Sequence, residues 1–299
     1  ASQTNSSDWI ARVVTESFPA DGFGSTIRDV QAATMFAQLG EFERALKLAR
    51  RWDHGGNWAI NKIGDGDGQV DYLLDSVLHI ARIYDYAGDL ATEREQDIAS
   101  AIADQVKNRL VWTNDGCILA DVHSPGLTAN PKHGRHACQD MSHAHRIVEF
   151  VFQFTDHFDE TYRIGLARTL GLRVWNGVEA SLLPQDPDGT VWVADFMDGH
   201  RGGYRPFEPG FSFPDIDGHP FSGSTVGMAC TGAPYWFRLA AYSEEAWKFG
   251  LSLMRFLRDN DHIAKVNPIA FRLSSAEAEI SLAANLTWAG RERARRMAA

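Results

Sequence analysis

Cysteine is scarce in this chain: Cys117, Cys138 and Cys230 are the only three in 299 residues. No two share a CxxC spacing, so a zinc knuckle is not expected, and their odd number leaves at least one thiol free. Long apolar runs are missing as well. None approaches the roughly 18 to 20 residues that a membrane-spanning helix needs, so no membrane partner is expected. Positive charge is in deficit, with 29 Lys and Arg against 39 Asp and Glu for a net charge of -10. That balance argues against nucleic acid as a partner, because counterion release needs a dense array of cations facing phosphates. An anionic ligand would have to meet a local basic patch.

Apolar surface, by contrast, is plentiful. The chain is 44% hydrophobic and carries 17 Phe and nine Trp, which is enough for one large core, and a single domain over residues 1–299 is the expectation. The polar opening ASQTNSSD lacks a Met and reads as a processed or trimmed start, which favours a secreted or periplasmic location.

Four segments share one plan of a polar loop, an apolar helix, a short break and a second, more amphipathic helix. The first pairs Thr26 to Gln38 with Phe42 to Trp52 across Leu39-Gly40-Glu41. The second pairs Val70 to Ala87 with Ala91 to Trp112 across Gly88-Asp89, and both breaks read as helix C-caps. A third pairs Ala137 to Phe154 with Glu160 to Trp175. The fourth pairs Thr225 to Ala241 with Glu244 to Leu257, with Ser243 as N-cap, and a last helix covers Ser275 to Trp288. The spacing is too irregular for a strict solenoid. We therefore expect a mainly α fold: a closed or incomplete (α/α) toroid of helical hairpins.

Between the third and fourth hairpins, Leu182 to Phe221 holds six of the eleven prolines and a TVWVADF strand pattern after Asp188-Gly189. Long inserts of this kind are usually functional. Closing one end of the ring is the plainer alternative.

The strongest chemical signal is KHGRHACQDMSHAHRIVEF, since five of the eleven histidines fall between His123 and His145. On a helix beginning near Ala137, Asp140 and His143 would share one face one turn apart, so the carboxylate could orient the ring and strengthen it as a base. His143 is the leading candidate base. His145 lies on another face, four residues before Glu149, where an ordinary helix pair is the simpler reading. Arg135 and His136, with Lys132 and His133, would make a cationic rim for a carboxylate or sulfate, or simply a solvated basic loop.

A zinc site from His123, His133, His136 and His143 lacks any strict spacing such as HExxH, so no metal or other cofactor is expected. Asp65 to Asp71 resembles the opening of a calcium loop, but Ser76 stands where the closing Glu would be needed. In DGHRGGYRPFEPGF, Gly202-Gly203 would admit close approach of a ligand, flanked by His200 and Arg201 on one side and Tyr204 and Arg205 on the other. Tyr204 packing inward while Arg205 pairs with Glu208 is the structural alternative. Trp58, Asn61 and Lys62 in GGNWAINK combine an indole with amide and amine donors, a mixture that suits sugar rings, although a single Trp is more often core.

Helical hairpins joined by loops ahead of their inner helices, together with the Ser142-His143-Ala144-His145 helix and the Gly203-Tyr204-Arg205 loop, resemble α/α-toroid carbohydrate-active enzymes, particularly uronate polysaccharide lyases. The Asn-Asn-His lead-in that some alginate lyases place before a catalytic histidine is absent. The resemblance implies β-elimination at a uronic acid in an acidic oligo- or polysaccharide. Arg135 or Arg205 with Asn61 would neutralise the carboxylate, His143 would act as base and Tyr204 as acid, or Tyr204 in both roles. Two other readings stay open: a glycoside hydrolase on the same fold, with paired carboxylates drawn from Asp67, Asp71, Asp140, Asp195 and Asp198, and a noncatalytic sugar- or peptide-binding scaffold.

Overall fold

The computed structural model describes residues 26–53, 70–119, 141–175, 197, 199, 236–259 and 275–298. Among the described residues the chain is mainly helical, with eight α-helices and one small two-stranded sheet. Two compact units divide it, Ala1–Lys107 and Asn108–Ala299.

Among the described residues the first unit begins with α1 (Thr26–Gln38) and α2 (Phe42–Asp53). Gly40 adopts φ 85°, and the turn closes with Glu41 N–H donating to Phe36 O at 2.9 Å and Gly40 N–H to Ala37 O at 3.1 Å. This double closure stops a helix and reverses the chain, as the break at Leu39-Gly40-Glu41 predicts. Along α2 the buried positions Ala45, Leu46, Leu48, Ala49 and Asp53 recur every three to four residues, making one face that α1 and α3 (Val70–Ala87) cover.

A short 3-10 turn, Gly88–Leu90, follows α3 and leads to α4 (Glu93–Arg109). Thr92 and Glu95 form a reciprocal cap at its start: Thr92 N–H donates to Glu95 Oε2 at 2.8 Å and Glu95 N–H to Thr92 Oγ1 at 3.3 Å. The helix ends at Arg109 and does not continue to Trp112 as expected. Leu110–Thr113 is strand β1, antiparallel to β2 (Gly116–Leu119), with Leu110 opposite Leu119 and Thr113 opposite Gly116. Val111, Trp112 and Thr113 favour extended backbone, and the Asn114-Asp115 turn returns the chain at once.

In the second unit, α5 (Met141–Gln153) and α6 (Glu160–Thr169) form a hairpin in which Asp159 caps α6, accepting from Thr161 N–H at 2.8 Å. The helix expected to reach Trp175 instead widens after Thr169 into a π turn, Leu170–Val174. Packing here is aromatic. Phe150 stacks on Phe154 at 4.2 Å and meets Phe158 edge-on at 6.0 Å, while Trp175 stacks on Phe249 at 5.8 Å.

The β-hairpin lies against α6 because Gly165 leaves room for it: a Cβ at Gly165 would come within 2.6 Å of the Trp112 ring. Thr169 Oγ1 then accepts from Cys117 N–H at 2.9 Å and donates to Cys117 O at 2.7 Å. Leu119 N–H meets the Met197 sulfur at 3.4 Å, which anchors one residue of the long insert onto β2. The TVWVADF segment lies outside the described residues.

Residues 237–241, the end of the expected seventh helix, form a 3-10 turn, and α7 (Glu244–Asp259) follows. Ser243 caps α7 as expected, its Oγ accepting from Ala246 N–H at 3.2 Å. The last helix, α8 (Ser275–Ala298), runs ten residues past the expected stop at Trp288, since the Arg, Ala and Glu of RERARRMA are good helix formers with no breaker among them.

Candidate functional site

Of the residues singled out in the sequence, His143 has a described backbone position: it is the third residue of α5. His145 and Glu149 are half-buried further along that helix. Asp140, Arg135 and His136 lie outside the described residues, as do Trp58, Asn61 and Lys62, and His200, Arg201, Tyr204 and Arg205. The carboxylates Asp67, Asp195 and Asp198 fall outside as well. Ser76, the last position of the calcium-like stretch, is buried within α3. Among the described residues no three His, Cys, Asp or Glu side chains group so as to hold a metal ion.

A polar cluster that sequence reasoning missed occupies one end of the first unit. The start of α1, the end of α2 and the end of α3 meet there, because α3 runs antiparallel to α1. Asp29, in the first turn of α1, accepts from the Trp52 indole Nε1 at 2.9 Å, and Asp53 accepts from the Tyr84 hydroxyl at 2.8 Å. Both aspartates are fully buried. Burial first, and then the neighbouring Asp53 carboxylate, hold the Tyr84 phenol far above its ordinary pKa, so Tyr84 acts as a proton-bearing donor throughout the physiological range.

Two further links join the helices of this unit. His79 Nδ1 lies 2.7 Å from Thr34 Oγ1, whose hydroxyl also donates to Val30 O at 2.9 Å. Arg50 grips Glu95 with two bonds, Nε to Oε1 at 2.6 Å and a second nitrogen to Oε2 at 2.9 Å. The Arg50 hydrogen bond is the main reason the Glu95 carboxyl sits below its usual range. One signal of this cluster was legible: an acidic residue closing α2 is disfavoured by the negative end of the helix dipole unless another group compensates.

The segment bearing Trp58, Asn61 and Lys62 follows Asp53 directly in the chain, so it departs from this polar end. The histidine-rich segment likewise leads into the first turn of α5. Both candidate ligand-binding stretches therefore start or finish at a helix end in the described structure.

No protein-family model matches this chain, and no curated protein or solved structure matches it.

Proposed function

We propose that this protein is a polysaccharide lyase that cleaves a uronic-acid-containing glycan by β-elimination. The observation that carries the reading is the position of His143 in the first turn of α5, at the point where a sequence stretch rich in His, Lys and Arg leads into a helical hairpin. The closed or incomplete (α/α) toroid and the single domain over residues 1–299 belong to the same proposal, as does a secreted or periplasmic location.

Arg135 or Arg205, with Asn61, would neutralise the uronate carboxylate and so acidify the C5 proton. His143 takes that proton, with Asp140 orienting its ring. The electron pair left on C5 forms a double bond to C4 as the C4–O bond breaks, and Tyr204 gives its proton to the departing oxygen. Tyr204 in both roles is the one-residue version of the same step. Trp58, Lys62, His136, His200 and Arg201 would hold the neighbouring sugars. A basic rim on a chain of net charge -10 is the physical reason to prefer an acidic sugar.

The test is the ultraviolet absorbance of unsaturated uronate as the protein meets alginate, glucuronan, pectate and glycosaminoglycans. His143→Ala and Tyr204→Phe are each expected to lower the rate by roughly a hundredfold or more. New reducing ends without that absorbance would overturn elimination in favour of hydrolysis. Binding without either product would leave a sugar-binding scaffold.

A further inference from the structure

The last helix carries a strip that the proposed reaction does not use. From Ile280 to Ala298 the sequence holds four arginines and one acidic residue, Glu292, in a chain whose net charge is -10. At 3.6 residues per turn, Trp288, Arg291 and Arg295 fall within about 60° of one another on α8, with Thr287 beside them. All four are exposed. Arg291 makes no ion pair among the described residues, while Arg295 pairs with Glu292 at 2.8 Å and keeps 78% of its side chain exposed.

Trp288 is 36% exposed and held in place from beneath. Phe152 meets it edge-on at 5.4 Å and 89°, and the Arg238 guanidinium lies 5.6 Å from its centroid. A braced indole presents apolar ring surface with little conformational entropy left to lose on binding. Next to it stand guanidinium groups able to take a carboxylate by paired hydrogen bonds. From Trp288 to Arg295 the helix rises about 10 Å, the length of roughly two sugar rings.

We propose that Thr287, Trp288, Arg291 and Arg295 form an accessory subsite for an acidic polysaccharide on the surface of the second unit, using none of the residues assigned to elimination. The choice of an acidic sugar as occupant rests on the lyase reading; the strip itself does not. A lipid surface fits less well, because the other large apolar residues described as exposed on α8, Ile280 and Met297, point about 100° apart and make no continuous apolar face between them. The subsite would keep a long chain close to the enzyme between cleavage events.

The experiment is electrophoresis of the full chain through gels containing polygalacturonate, polyglucuronate or alginate, with neutral dextran as control. Retardation by at least one polyuronate and not by dextran is expected, weakening as salt is raised. Arg291→Ser combined with Arg295→Ser should weaken it roughly five- to tenfold, with turnover of a short oligouronate unchanged. Trp288→Ala should act in the same direction, and the double arginine variant, which disturbs no buried group, serves where Trp288→Ala fails to fold. Equal retardation of wild type and double variant, or of dextran and polyuronate, overturns the subsite. So does arginine-dependent binding to phosphatidylserine vesicles or duplex DNA with none to polyuronates. Arginine-dependent retardation without any cleavage keeps the subsite and refutes the lyase; cleavage with indifferent variants does the reverse.

Discussion

The two units hold themselves together by different means. Among the described residues, the first buries Asp29, Thr34, Asp53, Ser76, Arg82 and Glu95, whereas the second buries only Thr169 and Ser243 among its polar side chains and fills its interior with Trp236, Phe150, Phe158, Phe237 and Phe249. Aromatic packing tolerates changes of pH and salt but is sensitive to lost volume. A buried polar network is the opposite: each member depends on a partner, and removing one leaves another desolvated without compensation. The first unit should therefore respond to single polar substitutions and to acid, and the second to cavities.

Three measurements break or sharpen that contrast. The largest effect is expected from Phe150→Ala, which empties a fully buried site shared with Phe154 and Phe158 and should cost about 3–5 kcal/mol in denaturant unfolding. A loss below 1 kcal/mol would show the aromatic core to be loosely packed. Next comes Asp53→Ala, which leaves the Tyr84 hydroxyl without the acceptor it has at 2.8 Å. It should cost about 2–4 kcal/mol, with Tyr84→Phe coupled to it in a double-mutant cycle; additive effects would break the pairing.

The smallest is Glu95→Gln. Arg50 leaves 46% of its side chain exposed, so solvent screening limits the cost to about 1 kcal/mol at neutral pH. Its signature is the pH profile. The Glu95 pKa is lowered in the folded chain, mainly by the Arg50 hydrogen bond, so its contribution is complete above the ordinary glutamate range and disappears as pH falls through the lowered value. Thermal melting should show wild type losing stability faster than Glu95→Gln between about pH 5 and pH 3. Parallel profiles would remove this pair from the account of acid sensitivity.

Helical segments were legible where local rules agree. Apolar spacing and the glycine break gave α1, the start of α2 and the whole of α3, and Ser243 was readable as the cap of α7 because its side chain acts within three residues. The reading failed where tertiary context or a weaker local signal decided. Leu110 to Trp112 continue an apolar pattern that a helix also satisfies, and only pairing with Gly116–Leu119 against α6 makes them a strand. Thr92 and Glu95 spell a capping box, which starts α4 at Glu93 rather than at the expected Ala91. For the site, the histidine cluster and the helix entered at His143 were visible as composition, whereas Asp29, Asp53 and Tyr84 come together from three helices, and nothing in their spacing announces that they meet.

Thr169 has a consequence for how this protein behaves in company. A strand at the border of a sheet offers unpaired amides and carbonyls to any extended chain that passes, which is a common route to association. On β2 the outward-facing groups of Cys117 are both taken by one hydroxyl, and the next outward amide, that of Leu119, is taken by a thioether. The β2 border of the hairpin is thereby occupied at Cys117 and at the Leu119 amide, and a strand from a neighbouring molecule cannot pair there without displacing those bonds.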